Sequence, residues 1–141
     1  MQPKILVPVD LSETTEKTLQ ALIAQRERFP CRLTLLHVIN TDNLTYKMIP
    51  DFQVAMIREH ARKAGEQLLE THRALLAGAG MDVEGRLEFG SPREVIPRIA
   101  NDEPYQLLVI GRKRTGEIRD VLFGSVSNHV LHHVSCPVLL I

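Results

Sequence analysis

The sequence predicts a single α/β domain built on one doubly wound, five-stranded parallel sheet. Short, continuous apolar runs, typical of strands covered on both faces, alternate along the chain with longer segments of helical apolar spacing. Strand and helix alternate four times and the chain ends on a strand, which favours a parallel sheet with helices on both faces. A chain of 141 residues without an internal repeat or low-complexity segment fits one domain, residues 1–141.

The first apolar run, residues 4–9 (KILVPV), predicts a strand that is buried on both faces. Two residues of helix-capping type, Asp10 and Ser12, follow it, and a glutamate comes three residues after Asp10. A helix is therefore predicted to about Phe29, where Pro30 stops it. Four residues share the stripe of this helix that we expect to face the sheet: Leu19, Leu22, Ile23 and Arg26.

Residues 33–39 (LTLLHVI) form the second predicted strand, and residues 40–50 connect it to a long helix. That helix is expected to end at residues 78–80, Gly-Ala-Gly, because glycine is typical just after a helix. Five residues fall at helical spacing and form its predicted apolar stripe: Ile57, Ala61, Ala64, Leu68 and Leu75.

Residues 81–89 alternate strictly between uncharged and charged side chains, which is typical of a strand with one exposed face. We therefore place this third strand at an edge of the sheet. Ser91 and Pro92 then supply a helix cap and a proline suited to the first helical position. The predicted helix runs to about Asp102 and is kinked at Pro97, where a main-chain hydrogen bond is lost.

Residues 106–110 form the fourth predicted strand, residues 125–134 the last helix and residues 137–141 the last strand. The segment before the last helix is much longer than the ~2–6 residues usual between such elements, and loops of that length commonly cover a ligand or are disordered. Gly124 and Ser125 open the helix with unpaired N–H groups, small side chains and the positive end of the helix dipole. This combination suits a phosphate.

The composition is that of a soluble globular protein, with 44% apolar and 24% charged residues. The 17 basic and 17 acidic residues cancel and there is no Trp, so we expect no nucleic-acid partner. No apolar run approaches the ~18 residues of a membrane span, and the start lacks the apolar core of a signal peptide. Cys31 and Cys136 show no metal or redox spacing. We expect a cytoplasmic protein without a membrane partner.

Parallel sheets of this kind bind ligands beyond the carboxyl ends of their strands, where the strand order reverses. If the first and fourth strands are neighbours there, Val9, Asp10 and Gly111 meet at one crevice. With these residues, with Gly124 and Ser125, and with the segments KILVPVDLS, LLHVI and CPVLLI, the chain resembles the universal stress protein family over residues 4–141. The resemblance implies a sheet of order 3-2-1-4-5 that binds ATP at the switch point, with Mg²⁺ or Mn²⁺ on the phosphates.

The nucleotide-binding branch of that family carries a glycine pattern that Gly111, Gly124 and Ser125 match, whereas Arg114 replaces its second glycine. The resemblance places Pro8, Val9 and Asp10 along the adenine and ribose side of the ligand, and it assigns main-chain contacts with the adenine to Val38. It places Ile110 and Gly111 along the ribose and phosphates, and it assigns the phosphates to Gly124, Ser125 and Val126. Arg114 either obstructs the loop, because it lacks the freedom of glycine, or binds a phosphate with its guanidinium.

Some of these residues have a structural alternative. Asp10 is an acceptor for the ligand or the N-cap of the first helix, and both roles can coexist. Gly124 lets a ligand approach the main chain or simply opens the last helix, and Ser125 binds phosphate or caps that helix. For Ser125 we favour the ligand role, because the long preceding loop demands an explanation. The other cations of that loop are taken as solvated, since Glu117 and Asp120 partly cancel their charge.

His129, His132 and His133 lie close together on the last helix. A metal needs converging ligands, and apart from Cys136 no further ligand type is near in the sequence, so we predict no metal site. His37 lies in a buried strand and is predicted to be a hydrogen-bonded core residue.

The leading hypothesis is a cytoplasmic ATP-binding regulatory protein of the universal stress type. Hydrolysis is expected to be slow at most, because no Ser–His–Asp or paired-carboxylate arrangement is visible. A second hypothesis is a dimeric interaction module that no longer binds nucleotide, as Arg114 would signal. A third is a nucleotidyl-transfer enzyme, which would need a His-x-Gly-His pair that PVDLSETT lacks.

Residues 138–141 are continuously apolar and, in the strand order that the resemblance implies, form a sheet edge. An uncovered apolar edge is an aggregation hazard that proteins usually cover or charge. Antiparallel pairing with the same strand of a second copy satisfies both edges about a two-fold axis. We therefore predict a homodimer through residues 137–141, which agrees with the common mode of dimerisation in the family.

Overall fold

The computed structural model describes residues 3–41, 49–112 and 125–141. Its strands are β1 (Lys4–Pro8), β2 (Arg32–Asn40), β3 (Val83–Gly90), β4 (Leu107–Ile110) and β5 (Val138–Leu140). Its helices are α1 (Glu13–Ala24), α2 (Asp51–Gly78), α3 (Pro92–Asp102) and α4 (Ser125–His133). The strands form one parallel sheet in the order β3-β2-β1-β4-β5, which confirms the predicted fold class and strand order.

Two apolar cores lie on opposite faces of this sheet. Val7 of β1 faces α1 and α2, whereas its neighbour Leu6 faces α3 and α4. The same alternation holds in β2 between Leu35 and Leu36. Successive side chains of a strand point to opposite faces, so a strand covered on both sides is apolar at every position. This is why the first two strands could be recognised as central from their sequence.

α1 is shorter than predicted, and its buried stripe is different. The helix ends at Ala24, and a 3₁₀ turn, Arg26–Arg28, precedes Phe29. Arg26 is exposed and its guanidinium donates to the Ile23 carbonyl, so its place on the buried stripe was wrong. Four residues of α1 are buried: Thr15, Thr18, Leu19 and Leu22. The threonines can be buried because their hydroxyls find partners locally.

The apolar stripe predicted for α2 was also wrong. Ile57 and Leu75 are each 43% exposed, and the side of the helix that faces the sheet lies about one residue further along. Four residues form it: Gly65, Leu69, His72 and Leu76. Two of them are not apolar, so a search for apolar spacing selects the neighbouring stripe.

The end of α2 and the exposed edge at β3 agree with their predictions. Gly80 has φ of +86°, its N–H donates to the Ala77 carbonyl, and the Met81 N–H donates to the Leu76 carbonyl. These two bonds form a Schellman motif, for which glycine is the favoured residue. β3 is half-buried along most of its length, as expected at a sheet edge.

None of the helices in the described ranges is both long enough and apolar enough to cross a membrane. Cys31 and Cys136 are both half-buried and form no disulfide.

Candidate functional site

A cleft of about 510 Å³ lies beyond the carboxyl ends of β1 and β4. α1, which follows β1 in the chain, covers one face of the sheet, and α4, which follows β4, covers the other, so the strand order reverses between β1 and β4. Eight of the ten residues assigned from the sequence line the cleft: Pro8, Val9, Asp10, Val38, Ile110, Gly111, Ser125 and Val126. The other two, Arg114 and Gly124, lie outside the described residues.

Asp10 organises the hydrogen bonds at the start of α1. Its Oδ1 accepts from the Ser12 N–H at 2.8 Å, from the Ser12 hydroxyl, and from Thr15 Oγ1 at 2.8 Å. Thr15 Oγ1 in turn accepts from the Asp10 N–H at 3.0 Å. Ser12 is the N-cap of α1, and its hydroxyl accepts from the Thr15 N–H. Asp10 is therefore not the N-cap, which corrects the structural alternative drawn from the sequence; it stabilises the residue that is.

These hydrogen bonds decide the charge state of Asp10. The residue is exposed at the cleft, but its carboxylate is partly desolvated. Desolvation alone raises the pKa of Asp10, but hydrogen bonds from the side chain and main chain of Ser12 and from Thr15 outweigh it. The nearby His37 ring acts in the same direction, and the pKa of Asp10 is held below its ordinary value. The cleft therefore presents a carboxylate at neutral pH.

His37 forms the predicted hydrogen bond from within β2. Its Nδ1 lies 3.0 Å from the Val9 carbonyl oxygen, at the point where β1 has just ended. A carbonyl can only accept, so Nδ1 carries the proton. The side chain thereby holds the residue that precedes Asp10.

Gly111 lines the cleft but is also in close contact with α1. A Cβ at this position would lie 2.0 Å from Thr18 Oγ1 and 3.0 Å from Thr14 Cγ2. Gly111 does not have a positive φ, so the requirement is for space rather than for the conformational freedom of glycine. The sequence motif identified this glycine, but it gave no indication that α1 requires it.

Within the part of the chain that the structure describes, ten further residues line the cleft and were not assigned from the sequence: Ser12, Thr14, Thr15, Thr18, Leu36, Pro92, Ile96, Val109, Ser127 and Val130. The hydroxyl residues in residues 11–18 (LSETTEKT), just after a strand that ends at the switch point, were the available signal for four of them: Ser12, Thr14, Thr15 and Thr18. Pro92 and Ile96 belong to α3. This helix packs beside α4 on one face of the sheet, and that packing brings its first residues to the cleft.

Three helices begin at this cleft. Residues of the first turn of α1, α3 and α4 all contribute to its walls: Thr14, Pro92 and Ser125. Helix N-termini carry partial positive charge, so their convergence favours an anionic ligand.

His129 and His133 belong to α4, the helix whose first residues line the cleft. The rings of His129 and His133 stack with centroids 3.9 Å apart, and the His133 Nδ1 donates to the His129 carbonyl. Arg93 of α3 donates to His129 Nδ1 at 3.2 Å. The described residues contain no group of three or more His, Cys, Asp or Glu side chains that could hold a metal.

The fold and the position of the cleft define an α/β protein with a ligand-sized site at the carboxyl edge of a parallel sheet. The model of the universal stress protein family matches residues 1–141. The chain therefore belongs to the universal stress protein family.

A putative universal stress protein of Staphylococcus aureus (strain USA300) is 32% identical to this chain over 139 residues, which are 97% of this chain and 82% of that protein. The structure of hypothetical protein MJ0577 matches with a TM-score of 0.81 at 27% identity, over 100% of this chain and 96% of that one. A universal stress family protein of Arabidopsis thaliana, solved with AMP bound, matches with a TM-score of 0.71 at 20% identity, over 99% and 90%. The last similarity shows the fold alone.

Proposed function

We propose that this chain binds an adenine nucleotide, with ATP as its ligand, and acts as a cytoplasmic regulatory protein of the stress response. The observation that carries the proposal is the cleft on which three helix N-termini converge. Its volume of about 510 Å³ falls within the ~300–1,000 Å³ typical of small-molecule sites. AMP binding by the Arabidopsis protein of the same fold supports an adenine nucleotide as the class of ligand, and ATP is the member of that class that the family resemblance implies.

The nucleoside would lie against the β1–β2 side of the cleft, formed by Pro8, Val9, Asp10 and Val38. Among the described residues, the three hydrogen bonds that Asp10 accepts all use Oδ1, which leaves Oδ2 to accept from a ligand hydroxyl or amino group. The hydrogen bonds from Ser12 and Thr15 keep this carboxylate ionised. An ionised carboxylate can only accept hydrogen bonds, which is the role proposed for Oδ2.

The phosphates would lie at the start of α4, where Ser125 and Val126 line the cleft. Main-chain N–H groups and small hydroxyl side chains at a helix start are suited to phosphate oxygens. Gly124 and Arg114 join this part of the proposal from the sequence alone. Asp10 is the one carboxylate among the described lining residues, so Mg²⁺ or Mn²⁺ would be held mainly by phosphate oxygens and water.

Hydrolysis by this site is expected to be slow. Asp10 is assigned to the nucleoside, and no other lining residue in the described ranges is a carboxylate or histidine that could activate water. Phosphate release should fall far below the ~10 s⁻¹ of a typical enzyme. A rate of that order would favour an enzymatic function instead.

The direct test is calorimetric titration of the purified protein with ATP and Mg²⁺, together with its melting temperature. Saturating nucleotide should raise the melting temperature, since a ligand at ~100 times its Kd adds ~2.7 kcal/mol of stability. Asp10→Ala should weaken binding about tenfold through the lost hydrogen bond, whereas Asp102→Ala, at the exposed end of α3, should not. Absence of heat and of any thermal shift at millimolar ATP would contradict the proposal and favour the interaction module without nucleotide.

We also propose the homodimer through residues 137–141. β5 is an edge strand of three residues, and its last residue, Leu140, is 42% exposed. Leu140→Lys should produce monomers or insoluble protein, because the charge would be buried between paired edges. Leu75→Lys is the matched control, since Leu75 is 43% exposed but lies on α2. Sedimentation that showed a monomeric wild type, or a Leu140→Lys dimer, would contradict this interface.

A further inference from the structure

The hydrogen-bond ladder between β1 and β2 is interrupted at the cleft. The register runs regularly to the pair Pro8 and Leu36, and the Val9 N–H then donates to the Leu36 carbonyl at 2.8 Å. In a regular parallel ladder the next bond would run from the Val38 N–H to the Val9 carbonyl. Within the described residues that main-chain bond is not made, and the His37 side chain binds the Val9 carbonyl at 3.0 Å in its place.

Contact with α2 fixes the His37 ring in the position from which it binds the Val9 carbonyl. α2 crosses above β2 at Gly65, where a Cβ would lie 3.1 Å from His37 Cδ2 and 2.8 Å from Leu87 Cδ1. Gly65 is buried, so the helix lies directly against the imidazole. A ring confined between a helix and a sheet keeps one orientation, with Nδ1 towards Val9.

Because the His37 ring, and not the Val38 N–H, donates to the Val9 carbonyl, the main chain of Val38 remains unused by the described part of the chain at the wall of the cleft. Main-chain groups two residues apart along a strand face the same neighbour, so the N–H and carbonyl of Val38 point, like those of Leu36, towards the β1 side. Beyond Pro8 that side is the cleft, and Val38 lines it. The His37 side chain therefore satisfies Val9 without using the main chain of Val38.

We propose that His37 is a positioning residue of the nucleotide site, an inference that rests on the proposed function. By holding the Val9 carbonyl, it fixes the course of the chain into Asp10 and leaves free the Val38 N–H and carbonyl, to which the family resemblance already assigns the contact with the adenine. A donor and an acceptor on one strand edge suit a planar heterocycle with the complementary pair. His37 itself does not touch the ligand.

Two measurements test the proposal. Long-range proton–nitrogen NMR spectra of the nucleotide-free wild type, in mildly alkaline buffer, should show the His37 ring with its proton on Nδ1, the form that a hydrogen bond to a carbonyl requires. ATP affinity is then compared for the wild type and three variants: His37→Asn, His37→Gln and His37→Leu. The Asn amide nitrogen takes the place of Nδ1, whereas the Gln nitrogen takes the place of Nε2, so only the first can restore the bond to Val9.

His37→Asn should bind ATP within about threefold of the wild type, and His37→Gln and His37→Leu about tenfold more weakly, as expected for the loss of one hydrogen bond. His60→Leu, on the exposed side of α2, is the control. Should His37→Leu fail to fold, the comparison of Asn with Gln still decides. Equal affinities for Asn and Gln, or a ring protonated on Nε2 alone, would overturn the positioning role. Absence of ATP binding by the wild type would instead refute the proposed function.

Discussion

The α1–α2 layer and the α3–α4 layer cover opposite faces of the same sheet but are attached in different ways. The first layer packs closely at two glycines, where there is no room for a side chain. A Cβ on Gly111 would lie 2.0 Å from Thr18 Oγ1, and a Cβ on Gly65 would lie 2.8 Å from Leu87 Cδ1. The second layer packs ordinary apolar side chains and adds a polar contact from Asn101.

Asn101, near the end of α3, binds the end of α4 through three hydrogen bonds. Its Nδ2 donates to the His133 carbonyl at 2.9 Å, and its Oδ1 accepts from the N–H and hydroxyl of Ser135 at 2.8 Å and 3.0 Å. The position of α1 is thus set by a close steric contact, and that of α4 by hydrogen bonds at its C-terminus. Since both helices form walls of the cleft, the two layers should fail differently when mutated.

The largest effect is expected for Gly111→Ala. The added methyl would force α1 away from the sheet, and overpacking of this kind lowers the free energy of unfolding by about 2–3 kcal/mol. Thr18→Ala removes the atom nearest to the new methyl, so the double variant should recover much of the loss in a double-mutant cycle measured by urea unfolding.

Gly78→Ala is the matched control for this variant. A Cβ at Gly78 would meet no atom within 4 Å, and alanine favours a helix, so stability should be unchanged or slightly higher. If Gly111→Ala were as stable as the wild type, or if Thr18→Ala restored nothing, the steric account of this face would be wrong.

A smaller effect is expected for Asn101→Ala. It leaves the His133 carbonyl and the Ser135 N–H without their partner, but both residues are exposed and water can replace part of the loss. The free energy of unfolding should fall by about 1–2 kcal/mol. Hydrogen exchange of the Ser135 amide should accelerate more than that of amides in α1. Asn128→Ala, exposed in the middle of α4, should leave both quantities unchanged.

The smallest effect, and the one that depends on pH, is expected for Asp10→Asn. Because the folded-state pKa of Asp10 lies below its ordinary value, ionised Asp10 stabilises the fold above the unfolded-state pKa, and this contribution is lost as pH falls through the folded-state pKa. The wild type should exceed Asp10→Asn in stability by about 1 kcal/mol at neutral pH, with the difference vanishing in acid. Urea unfolding measures this difference at several pH values, with Asp102→Asn as the control. A difference that persisted in acid would show that the carboxylate charge is not its source.

Much of the fold could be predicted because its signals are local. The apolar runs of the central strands and the alternation in residues 81–89 are properties of consecutive residues. Helix ends were less certain, because Asp10 and Ser12 are both capping types. In the folded chain, the bond from the Thr15 N–H to the Ser12 side chain shows that Ser12 is the N-cap of α1. The cleft was located from strand order and a family motif, but the hydroxyl residues of α1 and the first turn of α3 were missed, because their approach depends on packing.

By itself, the sequence determined which segments are strands, which strands are central, and where α2 and α3 start or stop. Those features depend on the burial pattern and hydrogen-bonding capacity of neighbouring residues. Only the tertiary structure decided which side of α2 faces the sheet, why residue 111 has no side chain, and that His37 replaces a main-chain donor at the end of β1. These depend on distances between residues far apart in the chain, and such distances exist only once the helices have packed against the sheet.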